Sequence, residues 1–281
     1  MTDFRTLAYA VKITLINGEV LGLTNIDFEF TVGTDTYNPI NAIQPIASAK
    51  SLGLDIDNAE ITVLVDGNIV TERDIRAGLY YQAEIQIALV DYLSPPTSLD
   101  TGIQIIRGHA GEVKTDNGTL NLEIVAFTEA LNKAVSNTTS ATCPYVFGGA
   151  QCGLDLLALN LEYQNQAITA VGDNTISVNG AGLTNLNPTN FDGKGILILQ
   201  NGRNQNLQLD IVSITTAGLI TYRGDTAEDI EVGDEVTIRA GCNKTYDECT
   251  TYDNRNRFGG FLVGGRWLRG LAGIVFTQQD P

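Results

Sequence analysis

Val11-Lys12-Ile13-Thr14-Leu15-Ile16 alternates apolar and polar residues at a period of two, and after Asn17-Gly18 the apolar run resumes from Val20 to Leu23. A period of two puts one face of an extended chain into a core and the other outside it, so the segment reads as a strand. Asn-Gly between two such runs predicts a hairpin closed by a type I′ turn. The same reading extends outward to strands over Ile26–Val32, Ala59–Val65, Ala83–Val90, Ile103–Val113 and Thr119–Phe127, the last two joined through Asp116-Asn117-Gly118. Two short helices interrupt them, one over Thr71–Arg76, opened by Thr71 with Asp74 three residues on, and one over Thr128–Val135. Residues 136–142 (SNTTSAT) are polar and aperiodic and mark a joint. Beyond them strands return over Ala167–Val171, Thr175–Val178, Gly195–Leu199, Leu207–Thr215, Leu219–Tyr222 and Glu235–Arg239, as expected of a second, smaller β-barrel or sandwich.

Composition narrows the chemistry. The chain has 281 residues, 43% of them hydrophobic, enough to bury more than one core. Its 17 basic and 33 acidic residues leave a net charge of −16, which argues against gripping nucleic acid. One His and one Trp leave little for acid-base catalysis or His-ligated metals. There is no apolar stretch long enough to span a membrane and no leader-like start, so a soluble, uncleaved chain is expected. His109 lies in a strand-like run without a second His and reads as a sheet or surface residue. Residues 225–234 (DTAEDIEVGD) lack the alternating ligands of a calcium loop, and the Gly-rich stretch 258–270 lacks the Lys-Ser/Thr ending of a phosphate loop.

The four cysteines are the chain's one concentrated chemistry. Cys143 and Cys152 have eight residues between them, Cys242 and Cys249 six, and 89 residues separate the pairs. The pairs bracket the second β-domain at its entrance and exit, so its folding brings four thiols toward one place. Soft sulfur donors suit Zn²⁺ or an iron–sulfur cluster, although paired zinc ligands are usually two to four residues apart. Two disulfides or free thiols are the alternatives, and residue chemistry leaves the choice open. Both cysteine segments read as loops.

Residues 143–155 (CPYVFGGAQCGLD) and 241–249 (GCNKTYDEC) resemble the tail-tip hub proteins of phages, including the hub of gene transfer agents and, more distantly, minor tail protein L of lambda-like phages. Residues 21–28, 52–58, 75–80 and 129–132 in the first half, and 191–193, 201–204 and 232–234 in the second, follow in the family's order. Residues 252–260 (YDNRNRFGG) keep the ends of the family's run but carry Arg257 where Asn is expected.

The resemblance implies a mainly β, non-enzymatic subunit. It would comprise an N-terminal β-rich hub domain over 1–136, a cysteine-bearing linker over 137–166, a small barrel or sandwich over 167–241, and the second cysteine pair with an extended arm over 242–281. It further implies a cluster, of the 4Fe–4S type with zinc as the alternative, bound by Cys143, Cys152, Cys242 and Cys249. The expected setting is the distal end of a virion tail, assembled in the host cytoplasm: a homotrimeric ring between the distal tail protein and central fibre or spike components, with DNA passing through its lumen unbound. The arm joins Phe258, Phe261, Leu262, Val263, Trp267 and Leu268 to Arg257, Arg266 and Arg269, residue types favoured at interface hot spots. The rival readings are an iron–sulfur redox protein and a carbohydrate-binding β module.

Overall fold

The computed structural model describes residues 6–39, 58–116, 118–126 and 140–261. The expected helix over 128–135, most of the joint over 136–142 and the arm beyond Phe261 lie outside the described residues.

The N-terminal part is an eight-stranded sheet in the order β3-β4-β2-β1-β6-β7-β8-β5. Its middle is formed by β1 (Leu7–Thr14), β6 (Glu84–Asp91) and β7 (Ile103–Asp116), flanked by β2 (Val20–Thr24) and β8 (Thr119–Ala126). Strand β5 (Asn58–Leu64) lies at one edge, and β4 (Asp35–Pro39) and β3 (Phe30–Val32) at the other. All pairings are antiparallel except β2 with β4. The two faces of β1 and β6 show why these segments pair. Val11, Ile13, Ile85 and Ile87 point into the main core, while Ala8, Ala10, Ala88 and Val90 face a smaller one with Phe30, Val32 and Tyr37. Both faces of the central strands are thus buried, and a register slip would exchange large residues for small ones.

The first hairpin forms as expected, but its turn is of another kind. Gly18 adopts φ 87° and its N–H donates to the carbonyl of Leu15, while Asn17 is not among the described residues with positive φ. This is a three-residue loop ended by a left-handed glycine, in place of a type I′ turn. The strand expected over Ile26–Val32 shortens to Phe30–Val32, the stretch that pairs with β4, while the β1–β2 ladder before it ends at Thr24, where Asn25 Oδ1 accepts the N–H of Tyr9. The expected helix appears as α1 (Glu72–Ala77), capped by Thr71, whose hydroxyl accepts from the Asp74 N–H.

The second part is a closed six-stranded barrel. It is built from β9 (Glu162–Gly172), β10 (Thr175–Val178), β13 (Leu219–Arg223), β12 (Gln208–Ile214), β11 (Ile196–Leu199) and β14 (Glu235–Arg239), with β14 pairing back to β9. Closure removes exposed strand edges. Ile176, Leu197, Leu209, Ile220 and Ile238 fill the interior, and their core is continuous with the large-residue face of the sheet.

Sheet and barrel are also joined by polar contacts at one corner. Arg203, from the loop between β11 and β12, reaches Asp74 of α1 at 2.9 Å and Glu19 at 3.3 Å. Asn17 donates to the Arg203 carbonyl, Asn206 donates to the Ile16 carbonyl, and Arg73 pairs with Asp229.

Candidate metal centre

Cys143, Cys152, Cys242 and Cys249 line one pocket beside the barrel, together with Tyr145, Phe147, Tyr252 and Phe258. All four are half-buried free thiols. The route by which two distant pairs meet follows from the fold. Strand β14 ends at Arg239, and the Gly241 N–H donates to the Asn190 carbonyl, so Cys242 leaves the barrel on a fixed path. Gly241 is required there, since a Cβ would lie 1.9 Å from the carbonyl oxygen of Lys194. The Cys143 N–H then donates to the Lys244 carbonyl at 2.8 Å, stitching the entrance segment to the exit segment.

Cys249 sits on a helix, not in the expected loop. Helix α2 (Tyr246–Thr251) is capped by Thr245, whose hydroxyl accepts the Glu248 N–H at 3.3 Å. Thr245 followed by Glu248 three residues later is a capping-box pattern legible in the sequence. Glu248 in turn accepts the Asn243 N–H at 2.7 Å and pairs with Lys194, which locks the loop between Cys242 and Cys249.

The sulfurs are held by specific partners. The Lys244 backbone N–H points at Cys242 Sγ at 3.3 Å, from a left-handed backbone with φ 60°. Asn254 binds both remaining segments: its amide donates to the Cys152 carbonyl at 2.9 Å, and its own carbonyl accepts from the Cys249 thiol at 3.1 Å. Aromatic rings wall the pocket, with Phe147 against Tyr252 at 5.5 Å and Tyr246 against Phe258 at 5.4 Å.

Burial pushes the Cys249 thiol up to about 11, and negative charge on Cys143, Cys152 and Cys242 pushes the same way. Cys242 is raised chiefly by burial; the Lys244 N–H opposes the shift, and Glu248 and Cys152 add to it. Cys242 and Cys249 therefore resist ionising, and a cation among the four sulfurs would reverse that balance. Four soft donors, an N–H aimed at one sulfur and a wall of aromatic rings fit a thiolate-bound metal or cluster. Among the described residues, no three Cys, His, Asp or Glu side chains are gathered closely enough to hold a single ion.

His109 lies in β7, paired with Glu84 of β6 and Val125 of β8, and so is a sheet residue. The acidic run 225–234 belongs to the connection before β14, where Glu228 caps the Arg203 N–H and Asp229 pairs with Arg73. These residues serve the corner between sheet and barrel. No helix among the described residues is long and apolar enough to cross a membrane.

Comparison with known proteins agrees with this architecture. The family model described as baseplate hub protein, N-terminal attachment domain, matches residues 2–155, and that of the phage conserved hypothetical protein BR0599 matches residues 190–263. Among solved structures, a chain from the virion of a native gene transfer agent particle superposes with a TM-score of 0.71 at 24% identity. The match covers 98% of this chain and 94% of that one, so the likeness of fold takes in both the sheet and the barrel. The styrene monooxygenase flavin reductase of Pseudomonas putida S12 aligns over 45% of this chain and 83% of its own, at 11% identity and a TM-score of 0.24, too low to carry an argument. No curated protein matches. The chain therefore belongs to the baseplate hub protein family and is a structural component of the virion, at the tail tip.

Proposed function

We propose that this chain is the hub subunit that joins the tail tube and distal tail protein to the central fibre or spike, and that its four cysteines hold an iron–sulfur cluster of structural purpose. The family match over residues 2–155 is the observation that carries the hub reading. In this reading three copies form a ring, and the net charge of −16 per subunit suits a lumen through which DNA slides without sticking.

The cluster reading rests on the donor set. Four half-buried thiols line one pocket. That soft donor set suits an iron–sulfur cluster, in which each cysteine ligates a different iron, with zinc as the alternative. When bound, the cluster supplies positive charge and four metal–sulfur bonds. The residues of the chain do the rest: Lys244 aims its N–H at Cys242, Asn254 ties the Cys152 and Cys249 segments together, and the aromatic wall excludes water. The centre would clasp the barrel's entrance to its exit, so metal binding becomes folding free energy for the junction. No electron partner or acid-base constellation is invoked, and the subunit is not an enzyme in this reading.

A reconstruction of particles built with this chain tests the hub assignment. The expected result is a threefold ring at the distal end of the tail with an acidic lumen; a subunit placed elsewhere, or a mainly basic lumen, contradicts it.

A further inference from the structure

Arg257 ends a short 3-10 turn, Arg255–Arg257, directly after Asn254, and lines the same pocket as the four cysteines. Its guanidinium lies against Gly153, between Cys152 and Leu154. A Cβ on Gly153 would sit 1.8 Å from Arg257 Nη1 and 2.6 Å from Cζ. Gly153 also adopts φ 67°, a left-handed backbone that favours glycine, and the missing side chain leaves room for the guanidinium to lie across it. Behind the turn, Phe258 is buried and packs edge-on against Tyr246, which fixes the direction in which Arg257 leaves the chain.

The charges around the pocket are unequally committed. Lys244 gives its ammonium to the Tyr145 carbonyl, and Lys194 is paired with Glu248. Among the described residues no carboxylate pairs with Arg257, which keeps its outer side in solvent. Four thiolates around a divalent ion, or around a cluster core of the same charge, leave a negative site. A cation that is always protonated and held at the open side offsets part of that charge.

We propose that Arg257 is a cationic cover for the four-thiol pocket, seated by Gly153, and a positioning residue for any metal group held there. The inference rests on the metal reading for its purpose, but the cover's charge is measurable without metal. The seat belongs to this chain's own pairing of Gly153 with Arg257, at the position where the family resemblance leads one to expect Asn.

The test compares the full-length protein with Arg257→Asn and Arg257→Lys. Each is reduced, stripped of metal, and alkylated at the four cysteines with iodoacetate, an anion, and with iodoacetamide, its neutral analogue of similar size. A cation at the pocket mouth favours the anionic reagent. The iodoacetate-to-iodoacetamide rate ratio should fall about threefold in Arg257→Asn, as expected for the loss of one unit charge from the pocket lining in a partly screened setting. It should hold in Arg257→Lys, and Gly153→Ala should lower it by displacing the guanidinium. An unchanged ratio in Arg257→Asn overturns the proposal. The metal content of the same preparations before stripping separates the two ideas. Metal present with an unchanged ratio removes the cover and leaves the metal reading; metal absent with a fallen ratio does the reverse.

Discussion

Replacing Arg203 with Ala should weaken the joint between sheet and barrel more than any other single change at a surface-accessible charge. Asp74 is the reason. Its side chain is 2% exposed, one carboxylate oxygen is held by Arg203 at 2.9 Å, and the other has no hydrogen-bond partner among the described residues. Removing the guanidinium leaves a buried carboxylate without a counter-charge, and leaves Glu19 facing it as a like charge. Breaking a fully buried pair in this way costs about 3–5 kcal/mol. Arg203 is itself 40% exposed, so water already screens part of the interaction, and about 2–3 kcal/mol is expected. The contacts made by the Arg203 backbone, from Asn17 to its carbonyl and from its N–H to Glu228, survive the substitution and keep the loop in place. Urea denaturation followed by circular dichroism reads the loss. Asp74→Asn in the same background should recover about half of it, because a neutral amide removes the stranded charge. Arg223→Ala, which breaks a pair exposed at both ends, is the control and should stay within about 0.5 kcal/mol of the parent. If Arg203→Ala is no worse than Arg223→Ala, the buried carboxylate is not held as described.

Three further outcomes follow from single residues. Thr245→Ala removes the cap of α2 and should cost about 1 kcal/mol locally, seen as faster alkylation of Cys249 in metal-free protein. Because the Cys249 thiol titrates at about 11 in the fold against 9.0 ordinarily, the native state holds its proton longer than the unfolded chain. Metal-free protein should therefore lose stability as pH rises from 9 toward 11, measured as a falling urea midpoint, and flat behaviour over that window would contradict the burial of the Cys249 thiol beside the other three. Gly108→Ala places a Cβ 2.1 Å from the Val125 carbonyl oxygen where β7 pairs with β8, and should lower stability by about 2 kcal/mol or more in thermal melts.

Much of the architecture is legible in local pattern. The alternation in Val11–Ile16 finds β1 of the sheet, and the six later runs find the barrel strands, to within about five residues, because period-two burial is a property of the segment itself. Long-range contacts account for what the pattern misses. Asn17 looks like the first residue of a type I′ turn, but its side chain is engaged twice, accepting the Glu19 N–H and donating to the Arg203 carbonyl across the joint. Strand β4 runs Asp-Thr-Tyr-Asn-Pro, a turn-like composition, and is held extended by Tyr37, fully buried between β2 and β3. Asp74 reads only as a helix-start residue, since its partner Arg203 lies 129 residues away.

The candidate site divides in the same way. The cysteine spacings point to convergence, and the structure places all four in one pocket. Asn254, which binds two of the cysteine segments, carries no signal of its own beyond lying in an Asn-rich run. The seating of Arg257 on Gly153 joins residues about a hundred positions apart and has no local signature.

The most direct measurement is the absorption spectrum of anaerobically purified protein with iron and acid-labile sulfide assayed on the same sample. The account predicts a brown protein with a broad band near ~400 nm, as expected for a thiolate-bound cluster, and loss of colour and iron in Cys242→Ala. Colourless protein carrying zinc, or carrying no metal, would contradict it.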